Sequence, residues 1–256
     1  MIDLYAAPTS NGLRAKIMAD ECGVEYTLHA IDMAKVAGTD EERLHWSERA
    51  GLLTPIAKAL STDFGVEVAS LGVQVHGGMG YIEETGAAQH LRDARIAPIY
   101  EGTNGIQSID LVLRKLPLSG GEHVKGFIAE LSEIADEAAA SNRPELGRVG
   151  ERLNAAIEDL KAATGFMAEA QAEGRVNDAL AGATPYLRLA GLTLGGALLA
   201  KGALRSGADN PSASRQRALM ARTFCETSLC ETAALRADIL TSAEGILSFD
   251  AHELAS

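Results

Sequence analysis

The 256-residue sequence predicts a mainly α-helical protein that begins with a short β-α-β arm. Two observations predict the helices. Apolar residues recur at the three- and four-residue spacing of one helix face over most of the chain after residue 34. Aromatic residues make up only 4% of a chain that is 46% hydrophobic, which suits Ala- and Leu-rich helices better than a β-sandwich. A third observation, short strand-like patterns confined to residues 1–33, predicts the arm.

The arm is predicted to contain a strand, a helix and a second strand. The strands are expected at Ile2–Tyr5 and Tyr26–Ala30, and the helix at Asn11–Cys22, ended by Gly23. A segment of this size cannot bury a core of its own, because domains below roughly 40 residues usually need disulfides, metals or partners. We therefore expect residues 1–33 to be a remnant without a function.

The middle segment, residues 34–118, is predicted to begin with a long amphipathic helix from Thr54 to His76. Thr54 would cap this helix, and Pro55 would occupy its first position. A glycine cluster follows it. After the cluster we expect a short helix at 87–93, a turn at 98–105 and a helix at 106–115.

The last segment, residues 121–256, is predicted to form a four-helix bundle. Its third helix, about Val176–Leu204, is apolar on most faces and carries Gly191 and Gly195, which would let a neighbouring helix approach closely. The most apolar part, 189–200, is too short to span a bilayer, which needs roughly 20 apolar residues. We therefore expect a buried helix.

Charge and termini narrow the possible functions. The net charge of -12 and the isoelectric point near 5.0 argue against nucleic-acid binding, which depends on Lys and Arg. The three cysteines lack the paired spacing of a zinc site or a disulfide framework. They are therefore expected to be free thiols in a reducing compartment. The N-terminus lacks the features of a signal peptide, so a cytoplasmic location and no membrane span are predicted.

Glu101 is the candidate catalytic residue. It stands between Tyr100 and Gly102 in a stretch that cannot easily continue a helix, so its carboxylate would be presented from a turn. Gly102 has no side chain to keep a substrate away, and a carboxylate shielded by a ligand could act as a general base. From the spacing alone, an ordinary loop acid is the favoured interpretation.

Gln74, Gly77 and Gly78 are candidate ligand-binding residues. Glycine lets the backbone approach a ligand, and Gln74 could supply an amide, although a helix that ends in two glycines also describes a simple C-cap. His76 has no partner at metal-ligand spacing, so no metal site is predicted.

The order Gln-x-x-Gly-Gly-x-Gly-Tyr, Arg-Asp-Ala and Ile-Tyr-Glu-Gly-Thr in residues 35–116 closely resembles the C-terminal helical domain of acyl-CoA dehydrogenases. Residues 121–256 resemble the extra C-terminal helical domain of the long bacterial members. The resemblance implies a truncated C-terminal bundle (34–118) followed by a second helical bundle (121–256).

The resemblance also implies FAD-dependent α,β-dehydrogenation of an acyl-CoA thioester. Glu101 matches the base that removes the α proton, and Gly102 lies beside the substrate. The residues matching those around FAD are Gln74, Gly77, Gly78, Thr103 and Asn104. The implied partners are an electron-transfer flavoprotein and other acyl-CoA dehydrogenase subunits, in an oligomer.

The opening MIDLYAAPTSNG and the stretch DECGVEYTLHAID resemble the start of glutathione S-transferase-like proteins, which have a thioredoxin fold. In one branch of that family the residue matching Asn11 contacts glutathione. No counterpart of the family's N-terminal helical or central β domain is seen, so we expect a chimaera joined near Met33 and Ala34 that is inactive alone. A non-catalytic association module and a glutathione-binding protein are the alternatives.

Overall fold

The computed structural model describes residues 2–6, 26–30, 38–206, 211–241 and 243–249. The chain divides into two compact units, Met1–Gly51 and Leu52–Ser256. Both predicted helical domains have most of their residues in the second unit. The predicted boundaries at 33 and 118 remain predictions.

The first unit contains two parallel strands, β1 (Ile2–Ala6) and β2 (Tyr26–Ala30). Their register places Ile2 opposite Tyr26 and Ala6 opposite Ala30. Both predicted strands are therefore present, and their parallel pairing is the one that a crossover connection produces. The predicted helix at 11–22, and Asn11 with it, lie outside the described residues.

The long helix α1 begins earlier than predicted, at Asp40, and ends at His76. Thr39 caps it: the Glu42 amide donates to the Thr39 hydroxyl at 3.1 Å, and the Thr39 amide donates to the Glu42 carboxylate at 3.0 Å. This reciprocal pair is a capping box, and the acidic first turn favours the same start. The prediction that Thr54 caps the helix is wrong; Pro55 lies inside it and is buried.

Short elements follow α1 and lead to the bundle. Three of them are α-helices, and a π-helical turn at Leu111–Lys115 extends the last. They are α2 (Gly78–Tyr81), α3 (Ala87–Ile96) and α4 (Asn104–Asp110).

The described residues after 121 contain four long α-helices and three short ones, joined in part by 3-10 turns. They are α5 (Glu122–Ala140), α6 (Val149–Ala172), α7 (Val176–Ala181), α8 (Ala183–Leu204), α9 (Pro211–Thr227), α10 (Thr232–Ile239) and α11 (Glu244–Leu247). The predicted four-helix bundle is present. The single helix predicted from Val176 to Leu204 is two helices, which are separated at Gly182, where the backbone ψ of -3° departs from the usual helical value.

Helix α8 lies at the centre of the bundle and packs against α4, α5, α6, α9 and α10. Leu189, Leu192 and Thr193 are fully buried, and the Thr193 hydroxyl donates to the Leu189 carbonyl at 2.9 Å. With 22 residues, α8 is longer than the apolar segment 189–200, which by itself is too short to span a bilayer. It has the length and apolar composition of a membrane span, but 56% of its most apolar window is buried inside the protein.

One hydrophobic core joins α1 to the bundle. Leu52, Ile56 and Ala59 on α1 are buried in the same cluster as Leu111 and Val112 and the inward residues of α5, α6 and α8. Burial decreases along α1 after Ala59. Leu60 and Phe64 are partly buried, whereas Val68 and Leu71 are 67% and 57% exposed.

Glycines permit two close helix contacts. A Cβ atom at Gly191 would lie 2.8 Å from Leu60 of α1, and one at Gly195 would lie 3.3 Å from Phe224 of α9, so the predicted close approach is confirmed. At Gly150 the neighbour is backbone, because a Cβ atom there would lie 2.5 Å from the nitrogen of Ala139. Helices α5 and α6 can therefore keep their crossing only with glycine at this position.

We predict that Gly150→Ala destabilises the protein by about 2 kcal/mol or more, since neither backbone can move aside easily. Gly165→Ala, on the exposed side of the same helix with no atom within 4 Å of the added carbon, is the matched control. It should stabilise by up to about 1 kcal/mol, because alanine suits a helix better than glycine. Urea unfolding followed by circular dichroism measures both, and equal effects of the two substitutions would contradict the assignment.

Candidate functional site

The turn between α3 and α4 carries Glu101. The Ile99 and Tyr100 amides donate to the Ile96 carbonyl at 2.9 and 3.2 Å, and the Asn104 amide donates to the Pro98 carbonyl at 3.0 Å. These bonds close a tight loop before α4 begins. The predicted turn is confirmed, and Glu101 is exposed on it.

Glu101 and Gly102 both adopt left-handed backbone conformations, with φ angles of 54° and 82°. Glycine adopts this region freely, but another residue is strained there by roughly 1–2 kcal/mol because of its Cβ atom. In the described residues, Glu101 shares a positive φ with only one other non-glycine residue, Ser119. Glu101 is thus held in a conformation that its own side chain disfavours.

Lys58 on α1 contacts this turn directly. Its ammonium donates to the Gly102 carbonyl at 2.9 Å and to the Asn104 side-chain oxygen at 2.7 Å. The side chain is nearly buried, with 9% of the residue exposed. Lys58 was not among the residues singled out from the sequence. The signal was available, since the helical pattern places a lysine inward beside Pro55 and Ala59.

Asn104 was predicted to contact a cofactor. In the structure its side-chain amide instead forms hydrogen bonds with residues of α1. The side-chain nitrogen donates to the Asp63 carboxylate at 2.7 Å, to the Thr62 hydroxyl at 3.0 Å and to the Ala59 carbonyl at 3.2 Å. Its oxygen accepts from Lys58. Asn104 therefore ties the start of α4 to α1.

Thr103 is the N-cap of α4, and its hydroxyl accepts from the Ile106 amide at 3.4 Å. The residue is exposed, so the hydroxyl hydrogen can still donate to a ligand. Thr103 and Asn104 line a cavity of about 700 Å³ together with Asp63, Glu67 and Arg95. This cavity lies between α1 and the turn.

Gln74, Gly77 and Gly78 lie at the C-terminal end of α1 and are exposed. The Gly77 amide donates to the Gln74 carbonyl at 3.0 Å, and Gly77 has a φ of 59°. These residues thus form a helix C-terminus, and nothing lies within 4 Å of a Cβ atom added at either glycine. Their backbone surface is open to a ligand. Gly80 differs, since it is buried against the Val73 carbonyl.

The bundle contains another cavity, which lies away from Glu101. A cavity of about 900 Å³ is lined by α5, α6 and the turn at 116–121, and none of the predicted site residues lines it. Among the described residues no group of three His, Cys, Asp or Glu side chains could hold a metal ion. The predicted site residues themselves lie at the Glu101 turn and at the end of α1.

We predict that Glu101→Gly leaves the protein more stable than Glu101→Ala by about 0.5–1 kcal/mol, because both variants lose the side chain and only glycine relaxes at this φ. On the exposed face of α6, Glu169→Ala and Glu169→Gly form the control pair, for which alanine should be the more stable by a similar amount. Thermal unfolding of the four variants measures the two differences. The same sign at both positions would show that Glu101 is not strained.

Comparisons with known proteins assign the chain to a family. The family described as "Acyl-CoA dehydrogenase, C-terminal domain" matches residues 13–116, and the one described as "Acetyl-CoA dehydrogenase C-terminal like" matches residues 125–250. The first match begins within the segment that resembles glutathione S-transferase-like proteins. That second resemblance remains a prediction.

Among curated relatives, the 3-methylmercaptopropionyl-CoA dehydrogenase of Ruegeria pomeroyi is 42% identical over 63% of this chain and 27% of its own length. A butyryl-CoA dehydrogenase of Syntrophomonas wolfei is 39% identical over 45% of this chain and 18% of its own length. The chain thus spans about a quarter or less of these relatives.

A crystal structure of Caenorhabditis elegans ACDH-11 in complex with C11-CoA shares the fold, with a TM-score of 0.59 over 92% of this chain and 36% of that one, at 22% identity. The fold, the two matched C-terminal regions and the curated relatives agree. The chain belongs to the acyl-CoA dehydrogenase family, whose C-terminal helical regions it contains.

Proposed function

We propose that this chain supplies the catalytic base, Glu101, for FAD-dependent α,β-dehydrogenation of an acyl-CoA thioester. The observation that carries the proposal is the strained, exposed turn that presents Glu101 next to a glycine. Strained backbone in an otherwise regular helical protein is concentrated at functional sites. The relatives are dehydrogenases of acyl-CoA thioesters by name, which supports the same reaction class.

The described residues fit FAD in part. The open backbone at Gly77 and Gly78 and the exposed Gln74 could contact the cofactor, and the Thr103 hydroxyl retains a hydrogen to donate. The Asn104 side chain does not fit a direct contact, because both ends of its amide are engaged with α1. We therefore assign Gln74, Gly77, Gly78 and Thr103 to the cofactor and Asn104 to support of the turn.

In the proposed reaction a Glu101 carboxylate oxygen accepts the proton from the α carbon of the thioester. Gly102 next to it is exposed and has no side chain of its own, and the Gln107 side chain lies 3.0 Å from where a Cβ atom would be. FAD, when bound, supplies the acceptor for the hydride that leaves the β carbon. The family resemblance further implies that the Glu101 backbone amide stabilises the thioester oxygen as negative charge develops there.

The full reaction needs an N-terminal helical domain and a β domain to enclose the substrate and the cofactor. We propose that these domains act together with this chain and that an electron-transfer flavoprotein receives the electrons. A cytoplasmic site of action is part of the same proposal.

The experiment combines this chain with a polypeptide carrying the N-terminal and β domains of a relative, and follows exchange of the acyl-CoA α proton in deuterated water. We predict that Glu101→Gln slows exchange by about 10²-fold or more, because an amide cannot accept the proton. Glu84→Gln, at an exposed acid in the preceding turn, should leave the rate unchanged. Exchange at the wild-type rate in Glu101→Gln would remove Glu101 from the mechanism.

The second candidate function, a non-catalytic association module, is favoured by one surface. Val68, Leu71 and Val75 lie on one side of the C-terminal half of α1 and are 67%, 57% and 84% exposed, and Tyr81 just beyond them is 82% exposed. Neighbouring exposed apolar residues of this kind mark interaction sites. The occupant we propose is an acyl-CoA dehydrogenase subunit.

Two charges on this surface should weaken such association. We predict that Leu71→Glu combined with Val75→Glu reduces co-elution with an intact acyl-CoA dehydrogenase by about tenfold or more, because burying carboxylates opposes docking. Leu198→Glu, at a residue of α8 that is 56% exposed, is the control and should co-elute normally. Yellow flavin in the purified complex distinguishes a catalytic assembly from a purely structural one.

A further inference from the structure

We propose that Lys58 is a positioning residue: its ammonium holds the Glu101–Gly102 turn in the left-handed conformation that presents the Glu101 carboxylate. The use of that carboxylate as a base rests on the proposed function. The anchoring of the turn does not. Lys58, Asp63, Gly102 and Asn104 form a set of contacts that we call the anchor network.

The position of Lys58 argues for a specific task. The residues around it on the inward side of α1, such as Ile56 and Ala59, belong to the hydrophobic core. A buried ammonium is unfavourable unless acceptors replace the water that it loses. An apolar side chain would fill the same space without that requirement. The lysine is therefore explained by what its ammonium contacts.

The Gly102 carbonyl and the Asn104 side-chain oxygen, which accept from Lys58, both follow the strained Glu101 in the chain. Fixing the Gly102 carbonyl at 2.9 Å restrains the peptide immediately after the Glu101–Gly102 pair. A non-glycine residue stays in the left-handed region only where its surroundings determine the conformation. With the ammonium removed, Glu101 gains the freedom to return to a negative φ, which would move its carboxylate.

Asn104 is the second arm of the anchor network. Its oxygen accepts from Lys58 at 2.7 Å while its nitrogen donates to Asp63 at 2.7 Å, so one amide bridges the ammonium and a carboxylate of α1. Its backbone amide closes the loop onto the Pro98 carbonyl at 3.0 Å. The buried Ser108 hydroxyl donates to the Asn104 carbonyl at 2.9 Å and fixes the residue from the α4 side. The network thus joins the turn to two helices.

The test is amide hydrogen exchange, resolved by residue, on the full chain with Lys58→Met. Methionine keeps an unbranched apolar chain and lacks the ammonium. We predict that the Tyr100 and Asn104 amides exchange about tenfold faster or more, because the charge-assisted bonds that hold the turn are gone. Amides of α5 should change by less than about twofold. Lys161→Met, at an exposed lysine of α6, should change neither set.

Unchanged exchange at Tyr100 and Asn104 would overturn the proposal. Equal acceleration in the turn and in α5 would also overturn it, because Lys58 would then support the core as a whole. If Lys58→Met does not fold, Lys58→Gln replaces it, since glutamine retains a neutral donor and should give a smaller increase confined to the turn. Asn104→Ala tests the second arm with the same two sets of amides.

A kinetic measurement connects the anchor to catalysis. In the complemented assembly, Lys58→Met should lower kcat for α-proton exchange by about tenfold or more and leave KM within about twofold, because base placement is disturbed rather than substrate binding. A raised KM with normal kcat would contradict the positioning role. An inactive wild-type assembly would count against the proposed function, and hydrogen exchange would still decide whether Lys58 anchors the turn.

Discussion

The structure depends on the burial of α8. This helix is apolar on nearly every side, so it is stable in water only when other helices surround it. Helices α5, α6, α9 and α10 do so, and α4 and the π-helical turn contact it from the remaining side. Because α4 directly follows the Glu101 turn, the burial of α8 also fixes one end of the candidate site. The core and the site are therefore parts of one packing arrangement.

The other end of the site depends on α1. Leu52, Ile56 and Ala59 of this helix lie in the core. Lys58 extends from the same region to the Gly102 carbonyl. Its second half carries the exposed apolar residues and ends at Gly77. One rigid helix thus connects the core, the proposed base and the proposed cofactor contacts. This connection gives a physical reason why these regions of sequence occur together.

Much of this arrangement could be predicted from sequence because its signals are local. Helical periodicity located α5 and α6, and the sequence around Gly102 located the turn. The start of α1 was missed although Thr39 and Glu42 form a recognisable capping pair. The Lys58 contact was beyond local reasoning, because 44 residues separate it from Gly102. The direction of the Asn104 amide likewise depends on Asp63, which only the fold brings near.

The left-handed backbone at Glu101 has a consequence for how this chain would change over time. A strained backbone position costs roughly 1–3 kcal/mol, so substitutions that relieve the strain stabilise the fold and are tolerated once the chemistry of the position is no longer needed. Glycine or asparagine would relieve position 101, and an apolar residue would then suit position 58 better than lysine. In a lineage that no longer performed acid–base chemistry, both positions would be expected to drift together. The proposed function accounts for the joint presence of a strained glutamate at position 101 and a buried lysine at position 58.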